Sequence, residues 1–382
     1  MGVAFVDIAR QRRAISPGLS QAMERVIARG AFVGGPEVGQ LESALSLRLG
    51  GRHAITCGSG TDALELLLRA DGIGEGDAVF VPSLTFIATA EAVMLAGAVP
   101  VFVDVAEDTA TLCPESLKRA IAHVRASGLG RPRAVIAVDL FSVPADAAAL
   151  GAICAESGLR LFFDAAHSLG SDAPQGPCGS YGDGAGTSFY PSKALGCFGD
   201  GGAAFTPDPE LAERVRAIAN HGIGGPDRRH LHAGRNSRLD TLQAAVLLEK
   251  LNVFDGELAA RRQIAEAYDA ALAGLCGLPH VPEGTRPCWS YYAVATPMRD
   301  ALKAHLDANG VASVVYYREP THRHPAYAGC PVVPGGLPVT ERFADTLLCL
   351  PVHPYMEAGE VSAVIDAVHG FFAADLPAAV AR

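Results

Sequence analysis

Residues 134–164 read AVIAVDLFSVPADAAALGAICAESGLRLFFD. Ala134-Val135-Ile136-Ala137-Val138 is a short unbroken apolar run, the pattern of a strand covered on both faces. Leu150 to Ser157 has helical spacing, and Leu161-Phe162-Phe163 returns to a strand. Strand, helix, strand implies parallel neighbours joined by a crossover. The pattern recurs upstream. Ala78-Val79-Phe80-Val81 and Pro100-Val101-Phe102-Val103 read as strands, with the helical Glu91 to Ala96 between them. The chain is therefore expected to be α/β, with a mostly parallel sheet flanked by helices. In such sheets ligands bind outside the carboxyl ends of the strands.

A long helical pattern runs from Leu239 to about Leu272, with Leu242, Ala245, Val246, Leu248 and Leu251 at helical spacing. Beyond the Gly/Pro-rich stretch 274–287, strands and helices resume as Tyr291–Thr296, Arg299–Asn309, Ser313–Tyr317 and Ala358–Phe372. The expected division is a large domain of residues 1–250 and a smaller C-terminal α+β domain of residues 251–382. The tail, Pro377 to Arg382, is expected to fray.

Of the 382 residues, 49% are hydrophobic and 19% charged, enough for a large core. The formal net charge of -10, without a basic run, speaks against nucleic acid or an anionic membrane as the main partner. Nine dispersed cysteines without a CxxC pair suggest reduced thiols, a cytoplasmic protein and no metal cluster. The N-terminus meets charge too early for a signal peptide, and no uninterrupted apolar stretch is long enough to cross a membrane.

The chemistry-bearing residues fall where strands end. Gly58-Ser59-Gly60-Thr61-Asp62 enters a helix, where free backbone N–H groups and a hydroxyl can hold a phosphate; Thr61 could equally be an ordinary cap. Phe86 follows a strand and could stack on a flat ring or fill the core. Asp164 ends the run Leu161-Phe162-Phe163. It could pair with a protonated pyridine nitrogen or cap a helix, with His167 three residues on to bond a ring oxygen. In Thr187-Ser188-Phe189-Tyr190-Pro191-Ser192-Lys193-Ala194-Leu195-Gly196, one lysine sits between a hydroxyl-rich turn and the glycines at 196, 199, 201 and 202. An amine in a semi-buried pocket loses its proton more readily and becomes a nucleophile. Ser188 could bond a phosphate from the same loop, as could Asn236 and Arg238 ahead of the long helix. This order of motifs suits one pyridoxal phosphate ring at the end of a parallel sheet.

At these motifs the chain resembles the fold-type-I, pyridoxal-phosphate-dependent sugar aminotransferases of the DegT/DnrJ/EryC1/StrS group. The segments that carry the resemblance are Gly58 to Ala63, Thr85 to Ala90, Asp164 to His167, Thr187 to Ala203, Asn220-His221-Gly222 and Asn236 to Ala245. Tyr316 to His322 and Leu350 to Pro354 match less closely. The resemblance implies that Lys193 forms the covalent link to the cofactor and shuttles the proton. It implies that Asp164 pairs with the pyridine nitrogen, that Phe86 stacks on the ring and that His167 lies near its phenolic oxygen. It assigns the phosphate to Gly60, Thr61 and Ser188, with Asn236 reaching the neighbouring subunit's cofactor in a homodimer with shared active sites. L-glutamate is the implied amino donor and a nucleotide-linked ketosugar the acceptor. The opening residues and Pro226 to His230 are closest to members that aminate a UDP-linked 3-oxo-hexuronic acid derivative. There Arg228, Arg229 or Arg318 would meet the carboxylate, with Tyr317 and His322 lining the sugar pocket. Where the common pattern has histidine, this chain has Tyr316.

Rival readings are an aminotransferase for a non-uronate deoxysugar or cyclitol, a sugar dehydratase, and a non-catalytic regulatory protein on the same scaffold. Dehydrating members carry histidine in place of Lys193, and a regulatory member would have a broken catalytic set. A dinucleotide-dependent oxidoreductase is disfavoured because Gly58-x-Gly60 lacks the third glycine of that fingerprint.

Overall fold

In the computed structural model, described over residues 2–380 with side chains to residue 373, a seven-stranded sheet forms the centre of the molecule. Its strands are β1 (His53–Cys57), β2 (Asp77–Pro82), β3 (Val99–Val103), β4 (Arg131–Val138), β5 (Arg160–Asp164), β6 (Gly184–Ser188) and β7 (Gly202–Thr206). They lie in the order β1-β7-β6-β5-β4-β2-β3. β7 runs antiparallel to both its neighbours, and every other pairing is parallel. The parallel core follows the expected runs. His53–Cys57 had not been read as a strand, and Gly202–Thr206 had been read in part as a glycine-rich turn.

β7, like its neighbour β6, is spelled in small residues because helix packing dictates its neighbourhood. Helix α3 (Gly60–Ala70) lies against β6 and β7, closely enough that side chains are excluded. A Cβ at Gly186 would meet the Leu64 side chain at 2.9 Å, one at Gly184 would meet Leu67 at 3.0 Å, and one at Gly202 would overlap the Ser59 carbonyl. The sequence there is Gly-Ala-Gly and Gly-Ala-Ala, poor in the β-branched residues that mark strands.

The remaining helices of the large unit are α1 (Ile8–Arg29), α2 (Pro36–Arg48), α4 (Ala88–Leu95), α5 (Pro114–Ser127), α6 (Ala147–Ser157) and α7 (Pro209–Ala219). α8 (Thr241–Leu272) is a single helix of 32 residues. The small unit adds β8 (Tyr292–Ala295), α9 (Arg299–Ala308), α10 (Pro338–Thr346), β9 (Leu347–Leu350) and α11 (Ala358–Val380), with β8 and β9 antiparallel. Ser313–Tyr317, expected to be regular, makes only one bridge, from Val314 to Cys349. The tail expectation, Pro377 to Arg382, concerns residues whose side chains, with Ala381 and Arg382 entirely, lie outside those described.

Residue 250 lies inside α8, so the two units share that helix. Leu247, Phe254 and Leu258 belong to the core around the sheet, and Ile264, Ala265, Tyr268 and Leu272 to the second core. The N-terminus also crosses over, with Val3 buried in the second core and bridged to Val311. In the other direction, Phe102 of β3 exchanges backbone hydrogen bonds with Pro331 and Val333.

Two glycines test this packing. Gly256 lies exposed within α8 with open space where a Cβ would go. Gly256→Ala should therefore raise stability by ~0.5–1 kcal/mol through helix propensity. Gly202→Ala should cost ~3 kcal/mol, because the helix-entry backbone at Ser59 cannot yield. Chemical denaturation of both variants measures the contrast, and equal effects would contradict the packing described.

Candidate active site

Five strand ends and one wall of the small unit enclose a cavity of about 630 Å³. Ser59, Gly60 and Thr61 come from the turn after β1, Thr85 and Phe86 from the turn after β2, Val138 from the end of β4, and Asp164 and His167 from β5 and its loop. Ser188, Tyr190, Ser192 and Lys193 follow β6, and the small unit contributes Tyr291, Val315, Tyr316 and Tyr317. Of the expected cofactor and catalytic residues, Gly60, Thr61, Phe86, Asp164, His167, Ser188 and Lys193 all meet here.

Lys193 rides on a loop fastened at both ends. Phe189 N–H donates to the Gly201 carbonyl at 2.8 Å, Cys197 N–H to the Phe189 carbonyl at 2.7 Å, and Lys193 N–H to the Tyr190 carbonyl at 2.9 Å. Gly196 is required within it, since a Cβ there would lie 2.6 Å from the Tyr190 carbonyl. The ammonium nitrogen lies 5.6 Å from the centroid of the Tyr291 ring. Burial lowers the Lys193 amine to about 8, with Asp164 opposing the shift. The amine therefore gives up its proton far more readily than a solvated lysine does, although the ammonium still predominates at pH 7.

Asp164 is buried at the carboxyl end of β5. Its Oδ2 accepts from the Thr89 hydroxyl at 2.8 Å and its Oδ1 from Ala166 N–H at 3.1 Å. Thr89 is in turn 3.0 Å from the Thr85 hydroxyl. Burial pushes the Asp164 carboxyl up, against these hydrogen bonds and the Lys193 charge, which pull it down. Lys193 and Asp164 are thus both moved toward neutrality by the same desolvation.

His167 is buried between Phe141 and Tyr291, with ring centroids at 6.3 Å and 4.5 Å. Burial, then the Lys193 charge, hold it well below the usual histidine range, so it is a neutral imidazole. Its Nδ1 has no hydrogen-bond partner. A buried ring nitrogen without a partner on a cavity wall fits a ligand oxygen.

At the opposite end, α3 presents the backbone N–H groups of Gly60 and Thr61, which have no acceptor within the helix. Ser59 caps the helix by accepting from Asp62 N–H at 3.1 Å. The Ser188 side chain faces this turn closely enough that a Cβ on Gly60 would lie 2.8 Å from it. Donors and hydroxyls at a helix N-terminus fit a phosphate group. Phe86 is 54% exposed and lies 6.1 Å from the Tyr317 ring, an open aromatic face suited to a planar ligand. These features together fit pyridoxal phosphate.

The remaining sequence candidates are elsewhere. Asn236, Arg228 and Arg229 are exposed and line no part of this cavity. Asn236 accepts from the Arg238 guanidinium at 2.6 Å, while Arg228 and Arg229 stand at a two-residue hairpin, Ile223–Gly224 with Arg229–His230. Of the segment expected to line the sugar pocket, Tyr317 does so. Arg318 turns to the surface, where Asp300 holds it at 2.9 Å, and His322 bonds the Ser83 hydroxyl at 2.8 Å. Neither lines the cavity, because the chain turns away after Tyr317. Sequence reading had missed Thr89, Tyr291 and Ser192. Thr89 lay in the quoted Thr85 to Ala90 motif, so its hydroxyl was available as a signal.

No cluster of histidine, cysteine or acidic side chains arranged for a metal occurs among the described residues, and no described helix is long and apolar enough to cross a membrane.

Residues 14–369 match the model of the DegT/DnrJ/EryC1/StrS aminotransferase family. The chain is 39% identical over 369 residues to the UDP-2-acetamido-2-deoxy-3-oxo-D-glucuronate aminotransferase of Pseudomonas aeruginosa, covering 96% of this chain and 99% of the relative. It is 41% identical over 368 residues to the dTDP-3-amino-3,4,6-trideoxy-alpha-D-glucose transaminase of Streptomyces venezuelae, covering 96% and 95%. Among solved structures it superposes on a DegT DnrJ EryC1 StrS aminotransferase from Brucella abortus with a TM-score of 0.95 at 45% identity, over 97% of this chain and 99% of that one. With the lysine, the strand-end aspartate and the helix-turn donors meeting in one cavity, the chain belongs to the DegT/DnrJ/EryC1/StrS aminotransferase family.

Proposed function

We propose that this aminotransferase uses pyridoxal phosphate to move an amino group from L-glutamate to a nucleotide-linked 3-oxo sugar, with a sugar acid as the favoured acceptor. The observation that carries the reading is a buried amine, lowered to about 8, sharing one cavity with a buried strand-end carboxylate.

When bound, the cofactor supplies an aldehyde and an electron-withdrawing ring. The chain's residues supply the rest. Gly60 and Thr61 N–H and the Ser188 hydroxyl hold the phosphate. Phe86 covers one face of the ring. Asp164, fixed by Thr89 and Ala166, favours a protonated pyridine nitrogen, whose charge would offset the burial of its carboxylate. The His167 Nδ1 bonds the ring's phenolic oxygen. The Lys193 amine, made easier to deprotonate by its burial, takes the proton from the donor's α-carbon and returns it across the same face.

A homodimer completes the site in this reading. Arg228 and Arg229 make no ion pair or side-chain hydrogen bond among the described residues, so both guanidinia are uncommitted. With Asn236 they are proposed to reach the partner's cavity, where Arg228 or Arg229 would take the uronate carboxylate in a bidentate contact. The non-uronate alternative is kept in view by the similarity to the S. venezuelae transaminase, named for a trideoxyglucose.

Lys193→Ala should lose the covalent cofactor link and the glutamate-driven bleaching of its absorbance band, and turnover should fall at least 10⁴-fold; unaltered turnover would overturn the assignment. Assayed with a UDP-3-oxo-hexuronate and a neutral dTDP-3-oxo-deoxysugar, Arg228→Ala/Arg229→Ala should raise KM for the first ~10–100-fold and spare the second. An equal effect on both would remove the carboxylate role.

The apoprotein offers a separate test of the lowered amine. Folded Lys193 titrates near 8 and the unfolded side chain at 10.5. Between those values the unfolded state binds more protons, so this residue makes stability rise with pH there. Lys193→Met should therefore be more stable than wild-type apoprotein at pH 7, by ~3 kcal/mol. That gap should close between pH 8 and 10.5. A gap independent of pH would show that the amine is not desolvated.

A further inference from the structure

A second cavity, of about 330 Å³, lies behind the catalytic loops, between α2, α8 and the segment around residue 286. Its floor is apolar and includes Leu49, Leu195, Phe254 and Leu258, all buried. Its rim carries Arg48, Arg262 and Arg286 against Asp172 and Asp255. Arg48 is spent on Asp255, at 2.5 Å. Arg262 donates only to two backbone carbonyls, Pro287 at 3.1 Å and Gly170 at 3.2 Å. The Arg286 side chain makes no hydrogen bond, and its pairing with Asp172 is through backbone alone. Neither Arg262 nor Arg286 has a carboxylate within ion-pair reach among the described residues. Burial first, and the neighbouring Arg286 charge second, lower the Arg262 guanidinium.

Two guanidinia lining one cavity without an ion-pair partner, with Asp172 the one lining carboxylate that no ion pair engages, leave positive charge facing a partly open, partly apolar space. We propose that this cavity is a second ligand site, for a small phosphate-bearing molecule whose anionic group sits between Arg262 and Arg286. Guanidinium forks match phosphate oxygens in pairs, and the apolar floor receives the rest of the ligand. The volume suits a ligand smaller than the one the main cavity holds. The site is also joined to the catalytic loops. Leu195 is two residues from Lys193, Leu169 is two residues from His167, and both line this cavity. The Gly170 carbonyl, next in that loop, is the group Arg262 already grips. Occupancy would press on both loops from behind, without entering the active site.

Inorganic pyrophosphate, titrated into the cofactor-loaded protein by calorimetry, is the probe. Wild type should show saturable binding that weakens at least tenfold in Arg286→Gln and in Arg262→Gln. Hydrogen exchange should show slower exchange at residues 169–171 and 195–197 when the wild type is saturated, and no such change in Arg286→Gln. Arg286 is exposed and its side chain makes no hydrogen bond or ion pair among the described residues, so its variant should fold even if Arg262→Gln does not. An absence of saturable binding to wild type would overturn the proposal. So would binding that Arg286→Gln leaves unchanged, which would place the anion elsewhere, in the active site for example. Neither result would touch the aminotransferase reading, which rests on Lys193 and Asp164.

Discussion

The structure turns on taking an amine and a carboxylate out of water together. A carboxylate or ammonium alone in a low-dielectric site loses several kcal/mol of hydration. Asp164 is compensated by one hydroxyl and one N–H, and Lys193 by an aromatic face and by the distant pull of Asp164 itself. The compensation is incomplete on both sides, which is why both groups drift toward neutrality. A cationic planar ring lying between them would relieve Asp164 and leave Lys193 a free base. A loop able to swing into solvent would rehydrate the ammonium, and the 189–201 loop is closed by backbone pairs that prevent this.

The parallel architecture was legible because buried parallel strands are written as continuous apolar runs, and Ala134–Val138 and Leu161–Phe163 left no other reading. β7 was not, since a strand crossed closely by α3 must be built from glycine and alanine, whose spelling is that of a turn. The cofactor end of the site was legible for a related reason. Gly60, Asp164, Ser188 and Lys193 each sit within a few residues of a strand end, and their chemistry is local to the chain. The substrate wall is not local. Tyr317 was expected there from its segment, but Tyr291 carries no signal of its own until the small unit brings it against His167 and Lys193. Arg318 and His322 show the opposite failure. They are neighbours of Tyr317 in sequence, and the backbone carries them to Asp300 and Ser83 instead.

That wall depends on α8 more than on any linker. The helix contributes Ala244, Leu247, Phe254 and Leu258 to the large core and Ile264, Ala265, Tyr268 and Leu272 to the small one, so one helix runs through both. Near the crossing, buried Arg261 donates to the Trp289 carbonyl at 3.1 Å and to the Val352 carbonyl. Trp289 is two residues before Tyr291, whose ring lies against His167 and under the Lys193 ammonium. The shared helix therefore sets the height of the aromatic wall above the catalytic groups, and does so from within the protein rather than from its surface loops.

A nucleotide-linked sugar acid brings a diphosphate and a carboxylate. Among the residues lining the cavity the sole cation is Lys193, which the chemistry needs as a neutral base, and the acids Asp164 and Asp200 are both present. Such a cavity would repel that substrate if it worked alone. The positive charge has to come from outside this set, and the exposed candidates differ in their commitments. Arg318 shares the Asp300 carboxylate with Arg299, while Arg228 and Arg229 have no ion-pair partner among the described residues. Their hairpin leads directly into the segment carrying Asn236. A site with its base and its ring pocket in one subunit and its cations in the other would discriminate sugars by a part of the sequence remote from the catalytic lysine.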